Sequence, residues 1–541
     1  LGKLFYWQVF QSKPLSILAS NQYFFSQKVL PDRGEILASD DFPLAMNIQT
    51  YQFFADPSQL LISADVLLAS LQKYTKDKKI DKKTLENKQL YWVLLADNLG
   101  RTEKEEIEKL KIKGLGFNEK NIRYYPEASM SAHLLGFVGK DASGQDKGYF
   151  GLEGYYDKEL KGKLGKYTYE ADALRRPLPL GEVQEEEFIP GRQLKLNIDR
   201  RLQFLAENHL ARGIQKYQAL SGLVLIINPK NGAVLTMASF PSYHPGSYFM
   251  YGQNSFRNPA ISSVYEPGSI FKVIVMASAL DAKAVSPQEI CLNCAGPRKI
   301  ADYTIKTWND KYYPNSTLQD ILAHSDNVGM VYIAEKLGKS RFLSYLTKFK
   351  LGEETNIDLQ GEISVPLKAE KDWREIDLAT ASFGQGIALT PIQILTAVSA
   401  IANKGVLFQP QVVKSIIEKD REIIIKPVNL GRAISSQTAD LTAQLMEQTV
   451  ERGEAKWARP AGYKIAGKTG TAQIPIAGHY DPEKTIASFI GFAPVDDPKF
   501  AMLVILNEPK SSPWGSETAA PLWFGIAGDI FRLLAIPPNR Q

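Results

Sequence analysis

Three short stretches of this chain carry side chains that can do chemistry together. Ser269-Ile270-Phe271-Lys272 follows Glu266-Pro267-Gly268 and precedes an apolar run, so Pro and Gly mark a helix start with the serine in its first turn. Residues three apart share a helix face. A neutral Lys272 amine there can take the Ser269 hydroxyl proton, while the helix N-terminus favours negative charge near the serine oxygen. Ser325-Asp326-Asn327 comes next, and Lys468-Thr469-Gly470, followed by Thr471-Ala472, comes last. Each motif alone has a plain reading: an ordinary helix start, a polar loop after a helix, a glycine-containing strand or turn. Taken in order, S-x-x-K, S-x-N and K-T-G point to nucleophilic acyl transfer through a serine.

Three other chemistries are weaker. Gly462 to Thr469 matches the phosphate-loop pattern G-x-x-x-x-G-K-[ST] letter for letter. A phosphate loop must run from a buried strand into a helix. Here Ala458-Arg459-Pro460-Ala461 upstream is no strand, and Gly470, Thr471 and Pro475 downstream do not open a helix. A Ser-His-Asp hydrolase lacks its G-x-S-x-G elbow, and His324 reads as a helix-end residue. Cys291 and Cys294 form the sole C-x-x-C, and none of the five histidines stands near it at ligand spacing. The pair is expected to be a loop pair, or a disulfide outside the cytoplasm, rather than a zinc or redox centre. No metal and no cofactor is expected.

Elements must bring the three stretches together. Asp199 to Tyr217 is patterned as an amphipathic helix. Leu223 to Ile227 and Ala233 to Ala238 read as strands around the Asn231-Gly232 turn. Helical segments follow around Ser269, Thr317 to Leu337 and Thr390 to Asn403. Ile486 to Ala493 and Phe500 to Asn507 return to strands before a helix near Trp523 to Leu534. That order fits an α+β fold, one antiparallel sheet with helices grouped around it.

Upstream, Tyr51 to Phe54 reads as a strand, Leu60 to Tyr74 as helical, Lys76 to Lys83 as a solvated loop or helix end, and Thr102 to Lys113 as an exposed helix with Glu-Lys pairs. The glycine-rich segment Gly136 to Gly165 reads as turns and a short helix, and Pro177 to Pro190 as a linker or extended edge.

At 541 residues the chain is too long for one core and suggests two large domains. Hydrophobic residues make up 44% and charged residues 23%, the balance of an ordinary globular protein. The net charge of +5, from 64 basic and 59 acidic residues, is spread along the chain, which argues against a nucleic-acid partner. Leu1 to Phe10 is apolar and aromatic but far short of the roughly 20 residues that span a bilayer. Tyr6 and Trp7 suit a membrane interface, so this segment is expected to be the lower end of an anchor.

The sequence closely resembles the class B penicillin-binding proteins, and among them the division-specific FtsI type. Besides the three motifs, the resemblance rests on Arg33-Gly34-Glu35-Ile36, Gly151-Leu152-Glu153-Gly154, Asn197-Ile198-Asp199, Arg257-Asn258-Pro259-Ala260, Ser382-Phe383-Gly384-Gln385-Gly386 and Phe489-Ile490-Gly491-Phe492-Ala493-Pro494. The chain departs from the family after Arg33-Gly34, where Leu37-Ala38-Ser39-Asp40 stands in place of the usual continuation. The resemblance implies a membrane-proximal segment at 1–26, an elongated N-terminal α+β pedestal or interaction module at 27–196, and a penicillin-binding, β-lactamase-like transpeptidase domain at 197–541.

It also implies a peptidoglycan D,D-transpeptidase of the septal wall, with no cofactor, held at the plasma membrane with its catalytic domain outside the cytoplasm. Ser269 would be acylated by the D-Ala-D-Ala stem peptide, Lys272 would be its base, and Ser325 and Lys468 would pass the proton to the leaving amine. Asn327 would hold the substrate amide and orient Lys272. Thr469 and Thr471 would bind the terminal carboxylate, and Gly470 would let the strand come close. β-Lactam antibiotics, the membrane, an FtsW-type glycan polymerase and other division proteins are the implied partners. Rival readings are a D,D-carboxypeptidase or β-lactamase that hands the acyl group to water, and a non-catalytic β-lactam sensor or scaffold.

Overall fold

The computed structural model describes residues 2–16, 24–29, 31–75, 80–170, 178, 183–476 and 479–539. Its chain gathers into two units: Leu1–Glu35, Pro43–Pro126 and Lys158–Arg192 in the first, Ile36–Phe42, Glu127–Asp157 and Gln193–Gln541 in the second.

In the first unit, strand β1 (Pro43–Ala55) pairs antiparallel with both β2 (Val93–Leu99) and β3 (Leu115–Tyr124). The strand expected at Tyr51 to Phe54 therefore extends well upstream. Its polar half, Asn47 to Thr50, has its backbone satisfied by partners from Arg123 to Lys120, which periodicity does not reveal. Helix α1 (Ala64–Leu71) is shorter than the apolar pattern, because the Ser63 side chain caps it. Helix α2 (Arg101–Glu108) carries the exposed pairs Arg101–Glu105 and Lys104–Glu108, each contributing a few tenths of a kcal/mol at most. Phe53, Leu67, Leu71, Leu95 and Ile107 form the core of this layer.

Lys76–Lys79 lie outside the described residues, while Lys82–Glu86 is a short helix capped by Asp81. Part of the expected linker, 179–182, is also outside them, but Val183–Glu186 is the edge strand of a three-stranded sheet with Gly165–Glu170 and Phe24–Val29. In the N-terminal segment, Phe5, Tyr6, Trp7 and Phe10 are exposed. Among the described residues no helix is long and apolar enough to cross a membrane.

The second unit is built on five antiparallel strands in the order β5-β4-β8-β7-β6. Their ranges are β4 (Ser221–Ile227), β5 (Val234–Phe240), β6 (Ala466–Ile476), β7 (His479–Ala493) and β8 (Phe500–Asn507). The β4–β5 hairpin turns at Asn231-Gly232, where Gly232 has φ +75°, as the sequence requires. Alternate side chains divide the sheet. Val224, Ile226, Phe489, Val504 and Leu506 point into a core with helices α3 (Arg200–Tyr217) and α9 (Ala519–Leu533). Asp199 caps α3 by accepting from the Arg201 and Leu202 amides.

On the other side lie α4 (Lys272–Asp281) and, past α5 (Leu318–Ala323), α6 (Asn327–Leu337) and α7 (Pro391–Ala402). Helix α4 is buried on every side from Lys272 to Leu280, which is why it shows no amphipathic stripe. Segment Thr317 to Leu337, one helical stretch by pattern, breaks at 324–326 into α5 and α6. Asp320 closes a capping box with Thr317 at the first start, and Asp326 caps the second. Cys291 and Cys294 are disulfide-bonded.

Trp523 is fully buried against Phe489 and Phe500, and its indole donates to the Met502 carbonyl at 2.9 Å. Trp523→Ala is expected to cost about 3–5 kcal/mol and Trp523→Phe only about 1 kcal/mol, read by urea unfolding. Equal costs would show that packing area plays no part at this position.

Candidate active site

Ser269 sits in one 3-10 turn, Gly268–Phe271, that runs straight into α4, so the expected helix start is there with Lys272 as its next residue. Lys272 is completely buried. Its Nζ donates to the Ser325 carbonyl at 2.6 Å, to Asn327 Oδ1 at 2.7 Å and to Ser325 Oγ at 3.2 Å. Lys468, 1% exposed on β6, donates to the same Ser325 Oγ at 3.0 Å and to Thr469 Oγ1 at 3.2 Å. One hydroxyl thus lies between two buried amines.

Ser325 reaches that place because it links α5 to α6 with φ 53°, a left-handed conformation unusual for serine. Such a conformation costs about 1–2 kcal/mol and persists where neighbours fix it. Here Asp326 Oδ1 accepts from Val328 N at 2.8 Å, and Asn327 Nδ2 donates to the Lys306 carbonyl at 3.1 Å. Asp326 is buried and its pKa is raised by that burial, against the pull of Lys272 and of backbone donors.

The two amines titrate unlike ordinary lysines. Burial above all, and then the Lys468 charge, hold Lys272 well below the usual lysine range, opposed by Asp326 and Glu454. Burial lowers Lys468 to about 8, with Glu454 pulling the other way. The pair therefore favours one neutral and one charged amine near neutral pH.

Strand β6 forms the opposite wall, in register Thr469↔Phe489, Gly470↔Ser488 and Thr471↔Ala487 with β7. A Cβ on Gly470 would lie 2.3 Å from Ser488 Oγ and 2.8 Å from Ile270 Cγ2, so only glycine lets this strand approach the turn that carries Ser269. Thr471 Oγ1 accepts from Gly515 N at 3.0 Å. Because Lys468 and Thr469 sit inside a strand, the phosphate-loop match is a coincidence of letters.

Ser269, Ser325, Asn327, Thr469 and Thr471 all line one cleft of about 340 Å³, with Lys272 and Lys468 buried next to Ser325 and Gly470 between the two threonines on β6. The structure thus gathers every residue singled out from the sequence. It adds Trp308 and Trp514, with ring centroids 4.8 Å apart, and Glu454, which had no motif to announce them. The Trp308 indole donates to the His324 carbonyl at 3.3 Å, and His324 itself ends α5, stacked on Tyr313 as a helix-end residue. Among the described residues no group of three His, Cys, Asp or Glu side chains is placed to hold a metal ion.

The chain matches the family model of the penicillin binding protein transpeptidase domain over residues 222–532, and that of the penicillin-binding protein dimerisation domain over residues 28–196. It belongs to the penicillin-binding proteins with a transpeptidase domain. Within them it combines the transpeptidase domain with the family's dimerisation domain. It is 32% identical to stage V sporulation protein D of Bacillus subtilis (strain 168), over 100% of this chain and 84% of that protein. It is 29% identical to the peptidoglycan D,D-transpeptidase FtsI of Escherichia coli (strain K12), over 100% and 90%. Penicillin Binding Protein 2X from Streptococcus thermophilus has the same fold, with a TM-score of 0.80 at 24% identity over 94% of this chain and 81% of that one. A peptidoglycan synthetase from Bifidobacterium adolescentis also shares it, with a TM-score of 0.76 at 24% identity over 96% and 98%.

Gly470→Ala forces β6 away from the Ser269 turn and is expected to slow acylation by a fluorescent penicillin about 100-fold, the scale of a 1 Å misplacement. An unchanged rate would mean that the spacing of strand and turn is not critical.

Proposed function

We propose that this serine acyltransferase, a peptidoglycan D,D-transpeptidase, runs its reaction through Ser269 with the two buried lysines as its proton machinery. The observation that carries the assignment is the meeting of Lys272 and Lys468 on the Ser325 hydroxyl, next to Ser269 in the same cleft.

Neutral Lys272 takes the Ser269 proton, and Ser269 Oγ attacks the carbonyl of the penultimate D-Ala. The oxyanion sits between the backbone N–H groups of Ser269 and Thr471, each donor contributing about 3 kcal/mol. Thr469 and Thr471 bind the terminal carboxylate and Asn327 holds the substrate amide. As the C–N bond breaks, the terminal D-Ala amine receives a proton from Ser325 Oγ, which Lys468 resupplies. An amine of a neighbouring stem then attacks the ester and completes the cross-link. A β-lactam amide opens by the same first step and stays as the acyl-enzyme.

The names of the relatives support peptidoglycan cross-linking, and the sequence's resemblance to the division-specific FtsI type supports the septal wall as its setting. The exposed aromatic segment from Phe5 to Phe10 supports a plasma-membrane anchor with the catalytic unit outside the cytoplasm. Residues 1–26 would then be the membrane-proximal segment, 27–196 the interaction module and 197–541 the transpeptidase domain. An FtsW-type polymerase and other division proteins are the partners this reading assigns to the module at 27–196.

Mass spectrometry after incubation with benzylpenicillin is expected to show one adduct, on Ser269, and none in Ser269→Ala; an adduct elsewhere ends the assignment. Lys272→Arg keeps a cation but cannot act as base, and should acylate at least 100-fold more slowly. A native rate in that variant would remove Lys272 from the mechanism.

The pH dependence follows from the two lysines. Lys272 works neutral, so acylation rises with pH through a pKa lying well below the ordinary lysine value. Lys468 works protonated, so acylation falls as pH climbs through about 8. A rate that stays flat between roughly pH 7 and 10 would contradict the role given to Lys468.

A further inference from the structure

The mechanism leaves one charged cleft residue without a task. Among the described residues, Glu454 is the only carboxylate that lines the cleft with Ser269. It stands just past α8 (Ser436–Arg452), directly after the capping Gly453. Gly453 N donates to the Thr449 carbonyl at 2.9 Å. A Cβ at Gly453 would meet that oxygen at 2.4 Å and the Ala323 carbonyl at 3.5 Å, so the turn is packed onto the end of α5 that leads to Ser325. The Glu454 side chain is exposed and lies near the buried Ser516, in the loop after β8 that also carries Trp514. A negative charge thus lines the cleft from a turn packed onto the segment that leads to Ser325.

The chemistry of the second half-reaction asks for such a group. A primary amine reaches the enzyme at neutral pH as an ammonium ion. It cannot attack an ester until it loses a proton, and Lys272 still has to return a proton to Ser269 Oγ in that same step. We infer that Glu454 receives the acceptor of the second stem as its ammonium and takes the proton that makes it a nucleophile. This rests on the transpeptidase reading above and adds to it the acceptor side of the cleft.

The balance closes. R–NH3+ gives one proton to the Glu454 carboxylate; the free amine forms an N–C bond to the acyl carbon as the C–Oγ bond breaks; Lys272 returns the proton it holds to Ser269 Oγ, and the amine's second proton passes by way of Ser325 Oγ to Lys468, replacing the one given to D-Ala. The products are an amide, a free serine and one proton, which Glu454 releases to water. The surroundings suit the task. Partial desolvation raises the Glu454 pKa above the usual carboxylate value, making it a better proton acceptor, while Lys468, Lys272 and His324 oppose that rise.

The test uses the whole chain, a D-alanyl thioester as acyl donor and two acceptors: Nα-acetyl-lysinamide, a cation at neutral pH, and hydroxylamine, a neutral nucleophile. For each, the ratio of aminolysis to hydrolysis of the acyl-enzyme is measured. Glu454→Gln is expected to lower that ratio at least about tenfold for the lysine acceptor and to leave it within about twofold for hydroxylamine. Glu454→Asp, which keeps the charge on a shorter stem, should fall between, and serves also if the Gln variant folds poorly.

Equal ratios for wild type and both variants with the lysine acceptor overturn the inference, as does an equal fall for both acceptors, which marks a structural role. Penicillin uptake by the wild-type chain separates the two levels of argument. A chain that forms no adduct ends the transpeptidase reading itself and the inference with it; normal uptake with unchanged acceptor ratios ends the inference alone.

Discussion

The burial of two lysine amines against one serine hydroxyl is the constraint on which the catalytic unit is organised. An unpartnered ammonium inside a protein costs several kcal/mol, and two of them a few ångströms apart cost more still. The fold meets this with acceptors rather than with a counter-carboxylate in direct contact. Lys272 is answered by the Ser325 carbonyl and Asn327 Oδ1, Lys468 by Thr469 and by Ser325 Oγ. These partners are good enough to keep an amine in place and too weak to lock it as a cation. Both amines therefore titrate below the ordinary lysine range.

That arrangement dictates much of what surrounds it. Lys272 must be on a helix with no solvent face, so α4 is enclosed by apolar neighbours on all sides. Ser325 must present its carbonyl and its hydroxyl to two different amines, which needs the left-handed turn between α5 and α6 and the Asp326 cap that holds it. Lys468 must arrive from the far side, so the outer strand of the sheet has to lie against the Ser269 turn. Gly470 permits the approach. Gly515 does so as well, since a Cβ there would meet the Gly470 carbonyl at 2.2 Å. Behind the strand, the Trp523, Phe489 and Phe500 cluster fixes the sheet against α9.

The sequence was legible where local chemistry decides the structure. Asp199 before an amphipathic run, Asn231-Gly232 between strands, and Pro267-Gly268 before Ser269 each specify their element without help from the rest of the chain. The strand in the first unit ran longer than its apolar residues because pairing with β3 supplies what Asn47 to Thr50 lack on their own. The break at 324–326 was hidden because the residues on both sides are good helix formers, and the decisive factor is a tertiary demand on Ser325. In the site, spacing gave the residues that act on bonds, since S-x-x-K fixes a helix face and K-T-G a strand. Trp308, Trp514 and Glu454 have no fixed spacing to the serine. They come from separate loops, and only packing places them together.

The charge inventory of the cleft explains how one site can serve a donor and then an acceptor. On the proposed mechanism the resting site holds a neutral Lys272, a protonated Lys468 and an ionised Glu454, so its charges cancel. A donor stem brings a carboxylate to Thr469 and Thr471, and that added negative charge raises the proton affinity of Lys468 when it must be an acid. Departure of D-Ala takes the carboxylate away. The proton that Lys272 took from Ser269 would then repel an incoming ammonium, and among the described residues Glu454 is the one lining group with the sign to offset it. Glu454 therefore matters most to acceptor binding once the donor's carboxylate has left, an order that follows from electrostatics and requires no movement of the fold.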